Sequence, residues 1–393
     1  MQERDRIPGI RGACAIVGQH ELPLRRAEGR TALALAAEAG RVALEDAGLN
    51  VDDVDALYIP TPSTMPAVFA ADYMGLHPTH VDSTNIGGSS YVSHVGHAAA
   101  CISAGLFDCA LILYGSTFRS DAVAVGTSGA LRGQTPNEIF DSPYGLTLVG
   151  AYALAATRHM AVYGTTPEQL ATIAVAARAY ASTNPDARYR TPISVDDVLA
   201  SRGIADPLHL LDCCVITDGG GAIVVASAAR ARSCRRPPVW VLGAAEALQH
   251  GDGGHADHLG TAARESAPRA FAMADVTADD VDVVCVYDSY TITELLTIED
   301  LGFCPKGEGG RFLAEPGRIG PGGSLPINPD GGGLSSNHPG MRGIFLLCEA
   351  TRQLRGEACN QVAGARIACV HGTGGFLGLR EGGATLILSS EER

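Results

Sequence analysis

The chain has 393 residues, of which 46% are hydrophobic and 18% are charged, so it can bury a large core and is too apolar to be intrinsically disordered. Its formal charge of −14 argues against a nucleic-acid partner, because neutralising phosphates requires clustered Lys and Arg. The 11 cysteines include no CxxC pair, and several lie in apolar runs, which favours reduced thiols in a cytoplasmic protein and no metal site. We expect no membrane span, because no segment has the roughly 18 uninterrupted apolar residues that one needs.

One pattern occurs twice along the chain. Residues 36–59 and 263–286 align without a gap at a constant offset of 227 positions. Each copy predicts an amphipathic helix, an acidic turn and a short apolar strand, at 56–59 and at 283–286. Alternating helices and uninterrupted apolar strands indicate an α/β fold whose sheets are covered on both faces.

Each copy is followed by a glycine-rich loop, a helix and a further strand. In the first half the helix is predicted to end at Gly105 and the strand to span 110–114. In the second half the helix is predicted to end near Gly356 and the strand to span 368–370. The same order of elements in both halves favours a duplicated unit.

The predicted halves are residues 1–236 and 237–393. The alternation breaks over 117–212, which we interpret as an inserted loop region that caps the site. The strand 222–226 is expected to return to the first sheet, and the Arg-Arg-Pro-Pro segment at 235–238 to connect the halves.

A first candidate functional loop, residues 85–90, opens the helix that ends at Gly105. Its glycines and free backbone N–H groups would hold a developing negative charge, helped by the helix dipole. Taken alone, the loop is better explained as a helix N-cap with Ser89 or Ser90 as the capping oxygen.

A second candidate loop, residues 287–290, directly follows the second-copy strand. Asp288 would cap the next helix, and Tyr287 and Tyr290 would be buried with satisfied hydroxyls. Taken alone, this structural interpretation is again the better one.

A third candidate pairs His338, in the segment 337–340, with His371, in the segment 371–375. Each histidine lies within two residues of a glycine at the mouth of a predicted element, where a polar ring has no packing reason to be. Two such loop histidines in one half favour an acid/base or oxyanion role. No nucleotide-binding signature accompanies them.

Nearly the whole chain resembles the thiolase superfamily, and most of all its lipid-transfer-protein branch, which is related to the thiolase domain of sterol carrier proteins. The resembling segments are 85–115, 218–222, 287–312, 325–340 and 371–375. The resemblance implies a five-layered αβαβα fold, a homodimer and an acyl-CoA ligand, with no cofactor beyond the coenzyme A of the substrate. It also implies a small partner protein bearing an OB-fold and a zinc ribbon.

The chain departs from this family at the catalytic positions. The family's nucleophilic cysteine falls on Gly88, so no side chain remains there to accept an acyl group. The second cysteine falls on His371, whereas the family histidine is retained as His338. The asparagine and phenylalanine of the family's fourth loop fall on Tyr287 and Tyr290.

These departures favour enolate chemistry without acyl transfer. Claisen condensation through an acyl-enzyme needs a nucleophile, and Ser89 is turned by about 100° from the position of Gly88. A thioester enolate needs only oxyanion donors and a proton shuttle. We therefore predict retro-aldol cleavage of a β-hydroxyacyl-CoA to a ketone or aldehyde and a short acyl-CoA, as in the steroid side-chain-cleaving aldolases that the sequence resembles.

Roles for the predicted residues follow from this reaction. His338 is expected to donate to the thioester oxygen, and His371 to protonate the enolate carbon. Tyr290 or Tyr287 would take the hydroxyl proton, which requires a pKa below the usual value of about 10, and Asp288 would orient the loop. The predicted substrate contacts are Gly88, Ser89, Asn337, Gly374 and Gly375, with Gly88 making room for a branched substrate carbon.

Two alternatives stay open. The loss of both cysteines also fits a non-catalytic subunit that binds acyl-CoA or lipid. The second alternative is a thiolase-type acyltransferase that uses Ser89 as its nucleophile.

Overall fold

The computed structural model describes residues 9–61, 63–122, 139, 142–250, 257–378 and 380–393. The strands are β1 (Cys14–Glu21), β2 (Ala56–Tyr58), β3 (His80–Asp82), β4 (Cys109–Ser116), β5 (Gly203–Ala205), β6 (Leu208–His209), β7 (Gly219–Ser227), β8 (Val239–His250), β9 (Val283–Val286), β10 (Ile367–Phe376) and β11 (Arg380–Ser389). The helices are α1 (Ala32–Ala47), α2 (Pro66–Met74), α3 (Ser90–Ser103), α4 (Leu148–Tyr163), α5 (Pro167–Thr183), α6 (Val195–Ala200), α7 (Ala228–Ala231), α8 (Ala263–Ala274), α9 (Thr291–Asp300), α10 (Gly309–Ala314) and α11 (Gly343–Arg355).

Within these residues, nine strands form one sheet in the order β3-β2-β4-β7-β1-β8-β11-β10-β9. Apart from the edge strand β3, the two ends of this sheet have the same connectivity, counted inwards to the junction of β1 with β8. In each end an outer parallel pair, β2–β4 or β9–β10, is followed by two antiparallel pairings. The sheet therefore contains two copies of one topology.

The sequence repeat corresponds to matching elements. Helices α1 and α8 end at Ala47 and Ala274, and short 3-10 turns follow at Val51–Asp53 and Ala278–Asp280. Strands β2 and β9 then begin at equivalent positions. The predicted α/β fold is confirmed, whereas the division at residue 236 stays a prediction.

Helices lie between and outside the two ends of the sheet. Helices α3 and α11 contact each other and strands of both ends, whereas α1 and α8 pack on the opposite faces. Alternate residues of a strand enter different cores: Leu111 and Leu113 of β4 pack with α1, and Ala110 and Ile112 pack with α3. This gives the helix, sheet, helix, sheet, helix order expected of the resemblance.

The segment 117–212 is largely helical where the structure describes it. Helix α4 contacts β10 and α9, and α5 contacts α9 and a π-helical turn at Gly332–Ser336. The predicted cap over this segment falls partly on residues 123–138 and 140–141, outside the described residues, and it stays a prediction.

None of the helices in the described ranges combines the length and the apolarity needed to cross a bilayer.

Candidate active site

Tyr287 and His338 form the centre of the candidate site. Tyr287 directly follows β9, and His338 follows the π-helical turn Gly332–Ser336. The Tyr287 Oη and the His338 Nε2 lie 2.9 Å apart in a hydrogen bond, and the two rings are perpendicular. Both side chains are buried. The structure thus brings together two residues that the sequence placed in separate loops.

The backbone of His338 is fixed by the first half of the chain. Its N–H donates to Thr217 Oγ1 at 3.0 Å, and the Thr217 hydroxyl donates to Asn337 Oδ1 at 2.7 Å. The Asn337 amide in turn donates to Glu21 Oε1 at 2.9 Å. Asn337 is therefore paired through both ends of its amide, and the predicted contact with substrate would require breaking one of these bonds.

Asp288 fastens the two loops of the site to each other. Its carboxylate accepts hydrogen bonds from the backbone N–H of Gly333 at 2.7 Å and of Leu334 at 3.1 Å, and Arg342 Nε lies 3.2 Å away. Gly332 has φ of +66°, and a Cβ there would lie 2.1 Å from Asp288 Oδ2, so only glycine fits. Burial raises the pKa of Asp288 to about 6, against the effect of Arg342, so the group is largely ionised at neutral pH. The geometry gives Asp288 a positioning role.

Gly88 leaves space that the protein itself fills. A Cβ on Gly88 would lie 2.1 Å from Tyr287 Cε2 and 2.7 Å from the Thr373 carbonyl oxygen. The expectation that Gly88 makes room for a branched substrate carbon is therefore wrong, because the Tyr287 ring occupies that room.

The glycines of β10 allow the strand to approach the turn at 86–88. A Cβ on Gly374 would lie 2.1 Å from the Ile86 carbonyl oxygen, and Gly375 has φ of +98°. The Gly375 carbonyl accepts a hydrogen bond from the Tyr152 hydroxyl at 3.1 Å. Close backbone approach explains Gly374 and the positive φ explains Gly375. Their predicted contact with substrate stays a prediction.

Ser89 lacks the partner that a nucleophile needs. Its hydroxyl lies 2.7 Å from the Ile86 carbonyl oxygen and 2.9 Å from that of Gly382, and the side chain is fully buried. In the described part of the chain no histidine or carboxylate hydrogen-bonds this hydroxyl. Serine nucleophiles are activated by an adjacent base, so this geometry does not favour acyl transfer through Ser89.

His371 lies within strand β10, so its predicted placement in a loop is wrong. Its Nδ1 bonds Thr385 Oγ1 at 2.9 Å, and burial lowers its pKa to about 3. Alternate residues of a strand point to opposite faces, and the neighbouring Val370 packs in the same core as Tyr287. The imidazole of His371 therefore points to the other face of the sheet, and direct protonation of an enolate beside Tyr287 does not fit this position.

Tyr290 is separated from the Tyr287–His338 pair. Its ring lies 4.5 Å from that of Tyr152 on α4, and no hydrogen bond joins its hydroxyl to another described residue. Burial raises the pKa of Tyr290, and it raises that of Tyr287 well above the usual value. The lowered pKa required for a free tyrosinate base is therefore absent at both positions.

A cavity of about 540 Å³ lies beside α5, and Cys213, Cys214 and Leu334 form part of its lining. Arg119, Arg178 and Arg188 line it among apolar residues. Cys214 also lines the cavity, and after burial its thiol is the largest cause that raises the pKa of both Tyr287 and Tyr290. The Cys214 N–H donates to the Ser289 carbonyl oxygen at 2.9 Å, so the cavity borders the 287–290 loop.

A duplicated α/β topology, with a site at loops that follow β9 and precede α3 and α11, defines a thiolase-like protein. The chain belongs to the thiolase superfamily. Residues 241–390 match the family model described as Thiolase C-terminal domain-like.

Full-length relatives agree with this family. The chain is 36% identical over 388 residues to the 17-hydroxy-3-oxo-4-pregnene-20-carboxyl-CoA lyase of Mycobacterium tuberculosis, with 93% of this chain and 97% of the lyase covered. It is 36% identical over 362 residues to an acetyl-CoA acetyltransferase of Methanothermobacter thermautotrophicus, with 86% and 90% covered. The solved structure of the Ltp2-ChsH2(DUF35) aldolase matches with a TM-score of 0.87 and 31% identity, over 97% of this chain and 98% of that one. The resemblance drawn from the sequence motifs is confirmed.

Sequence reasoning missed two residues near the site, Tyr152 and Glu381. Tyr152 lies in the segment 117–212, where the alternation of predicted helices and strands breaks, so its position relative to the site could not be inferred. Glu381 directly precedes two glycines and the apolar run 384–388. An acidic residue at the start of a buried strand is unusual, and this was the feature of the sequence that could have indicated Glu381.

Proposed function

We propose that the chain is an acyl-CoA carbon–carbon lyase, which cleaves a β-hydroxyacyl-CoA by a retro-aldol reaction to a ketone or aldehyde and a shorter acyl-CoA. The observation that carries this proposal is the Tyr287–His338 hydrogen bond beside Gly88. In this site a proton-transferring pair replaces a covalent nucleophile. The name of the mycobacterial relative supports a thioester substrate and a lyase reaction.

The proton route begins at the β-hydroxyl group of the substrate. Its proton moves to Tyr287 Oη while the Tyr287 proton moves to His338 Nε2. The Cα–Cβ bond then breaks, the hydroxyl oxygen becomes a carbonyl, and the bond electrons form the thioester enolate. The transfer has to be concerted, because burial opposes a free tyrosinate, and burial together with Arg342 lowers the pKa of His338 to about 4.

The charge pattern of the cavity supports a coenzyme A thioester. Guanidinium groups bind phosphates well, and Arg119, Arg178 and Arg188 all border the cavity. Its apolar walls suit pantetheine and an apolar acyl group. We propose a steroid side chain as that acyl group, in line with the name of the mycobacterial relative.

The proposed reaction is redox-neutral and needs only proton transfers, so we propose no cofactor beyond the coenzyme A of the substrate. We propose the cytoplasm as its compartment. All 11 cysteines are free, and unpaired thiols are typical of proteins in reducing compartments.

We propose that the chain forms a homodimer through α2 and β3. Val68, Phe69 and Tyr73 form an exposed apolar stripe at helical spacing on α2, and Val81 is exposed on β3. Strand β3 ends the sheet among the described residues, and exposed sheet edges next to apolar surface favour association. We further propose a small partner with an OB-fold and a zinc ribbon, supported by the similar aldolase structure, whose name joins two components, Ltp2 and ChsH2(DUF35).

A thioester screen tests the proposed function. Branched β-hydroxyacyl-CoAs, including steroid thioesters, are incubated with the chain and its partner, and release of acetyl-CoA or propionyl-CoA is measured. We expect release with at least one branched substrate. Saturable binding without turnover would favour the non-catalytic subunit instead.

Mass spectrometry of the intact protein after incubation with acetyl-CoA separates the lyase from an acyltransferase, the activity named for the methanogen relative. We expect no covalent adduct. An acetyl group on Ser89 would favour acyl transfer.

A further inference from the structure

Glu381 is a buried acid that the Tyr287–His338 route does not use. It lies in β11 directly opposite Gly375 of β10, and only 3% of its surface is exposed. Among the described residues neither carboxylate oxygen has a hydrogen-bond partner of normal geometry, and the backbone N–H of Ala262 is a donor that acts on the group. Burying an unpaired carboxylate is costly, so such a group is expected to be neutral or to have a function.

Four elements pack around this carboxyl group. Helix α4 contributes Tyr152, the end of α9 contributes Asp300, the following turn contributes Lys306, and the start of α8 contributes the N–H of Ala262. On β10, the buried His371 points to the same face of the sheet as Glu381.

Lys306, the cation that acts on Glu381, is already paired with two other carboxylates. Lys306 Nζ lies 2.9 Å from Asp300 Oδ1 and 3.1 Å from Glu299 Oε2. Burial and the neighbouring Asp300 raise the pKa of Glu381 to about 8, against the smaller effects of Ala262 N–H and Lys306. The group therefore carries a proton at neutral pH.

Tyr152 connects Glu381 to the candidate site. Gly375, which accepts the Tyr152 hydrogen bond at 3.1 Å, lies directly opposite Glu381, and after burial the Glu381 carboxylate is the next cause that raises the pKa of Tyr152. The Tyr152 hydroxyl donates to the Gly375 carbonyl oxygen, and the ring packs on Tyr290. Ser289, within the 287–290 loop, acts in the opposite direction and lowers the pKa of Tyr152. Tyr152 thus lies between the acid and the loop of the proposed catalytic pair.

We propose that Glu381 is a positioning residue that stores the proton delivered to the enolate carbon and acts through Tyr152. This inference rests on the proposed lyase function. The Tyr152 hydroxyl proton forms the new Cα–H bond with the enolate electron pair, and the Glu381 proton replaces it on Tyr152. The enzyme is left with a Glu381 carboxylate and a His338 imidazolium, which exchange the proton through solvent as the product leaves. The protonation of the enolate that was predicted for His371 is then carried out by Tyr152 of α4, and Glu381 of β11 supplies the replacement proton.

Hydrogen exchange into propionyl-CoA tests the proposal. The wild-type lyase incubated with propionyl-CoA in D₂O is expected to exchange the α-hydrogens, followed by ¹H NMR, because product binding reverses enolate protonation. Glu381→Gln keeps the shape of the side chain and is expected to lower exchange by on the order of 10²-fold, as for other acid/base groups. The exposed Glu391→Gln is the matched control and should exchange at the wild-type rate.

A pH profile gives a second readout that a purely structural role would not move. Cleavage by the wild type should fall as pH rises through about 8, because the stored proton is lost, whereas the profile of Glu381→Gln should lack that limb. Wild-type exchange and an unchanged alkaline limb in Glu381→Gln would overturn this inference while leaving the lyase intact. If the wild type neither cleaves thioesters nor exchanges the α-hydrogens of propionyl-CoA, the proposed lyase function itself is wrong.

Tyr152→Phe covers the case in which Glu381→Gln does not fold. This variant keeps the ring that packs on Tyr290 and removes only the hydroxyl. It should lose exchange to the same extent as expected for Glu381→Gln, and normal exchange in Tyr152→Phe would overturn the relay.

Discussion

At the scale of residues, the site combines a smaller side chain than the family has at one position with a larger one at a neighbouring position. Where the family has a cysteine, this chain has Gly88, and where it has an asparagine, the chain has the larger Tyr287. The Tyr287 ring fills the space that Gly88 leaves. Neither change fits well without the other, because close-packed interiors tolerate added volume poorly.

The first prediction separates the two tyrosines. Tyr287→Phe keeps the ring over Gly88 but removes the hydroxyl that bonds His338, so cleavage should fall by on the order of 10²-fold or more. Tyr290→Phe is the matched control, since its hydroxyl bonds no described residue. Steady-state kinetics and melting temperature are measured for both variants. A larger loss in Tyr290→Phe would contradict the assignment.

The second prediction concerns the coupled pair. Gly88→Cys alone should lower the melting temperature, because its Cβ would meet the Tyr287 ring at 2.1 Å. Combining it with Tyr287→Asn should restore part of the stability, because the ring is removed but the Thr373 carbonyl oxygen remains 2.7 Å from the new Cβ. The new thiol, at a helix start, should then react rapidly with iodoacetamide. Thermal melts of the two single variants and the double variant measure the coupling. Additive effects would show that the residues are independent.

At the scale of elements, the repeat was the most reliable sequence signal, because its helices and strands depend on local apolar spacing. Strand β10 was misassigned beyond residue 370 because His-Gly-Thr-Gly-Gly has the composition of a loop. Its strand conformation depends on pairing with β11, a tertiary contact that local propensity does not encode. The same pairing with β11 determines to which side of the sheet the His371 side chain points.

The candidate site was predictable in part. The motifs indicated Tyr287, His338 and Asp288, and the structure brings these three residues to adjoining loops. Their hydrogen bonds, and the packing of Tyr287 on Gly88, depend on contacts between distant segments. No local pattern reports such contacts.

The third prediction concerns the junction of two loops at Asp288. Asp288→Asn keeps the shape of the side chain but leaves Arg342 with one carboxylate fewer, and breaking a buried ion pair is strongly destabilising. The melting temperature should fall. The value of kcat should fall by a larger factor than KM changes, because the turn that Asp288 holds leads directly to His338. A wild-type melting temperature would show that the Arg342–Asp330 contact suffices.

At the scale of the whole molecule, the site is assembled from both predicted halves. Gly88 and Thr217 come from the first, and Tyr287 and His338 from the second. The pair of helices α3 and α11 between the two ends of the sheet holds these contributions in fixed relation. The duplicated topology therefore provides one composite site rather than two.

The fourth prediction concerns assembly. Phe69→Glu places a charge in the exposed stripe on α2 and should convert the proposed homodimer to a monomer in analytical ultracentrifugation. Leu248→Glu is the control, since Leu248 is 69% exposed on β8, away from that stripe. A Phe69→Glu variant that sediments as a dimer would place the interface elsewhere.

The aromatic ring beside Gly88 also bears on inhibitor design. Electrophilic thioester analogues disable thiol-dependent relatives irreversibly by capturing their sulfur. Here the family's cysteine position holds Gly88 beside the Tyr287 phenol, and burial raises the pKa of the Cys214 thiol at the cavity wall, which keeps it a poor nucleophile. Inhibition by such analogues should therefore disappear on dilution.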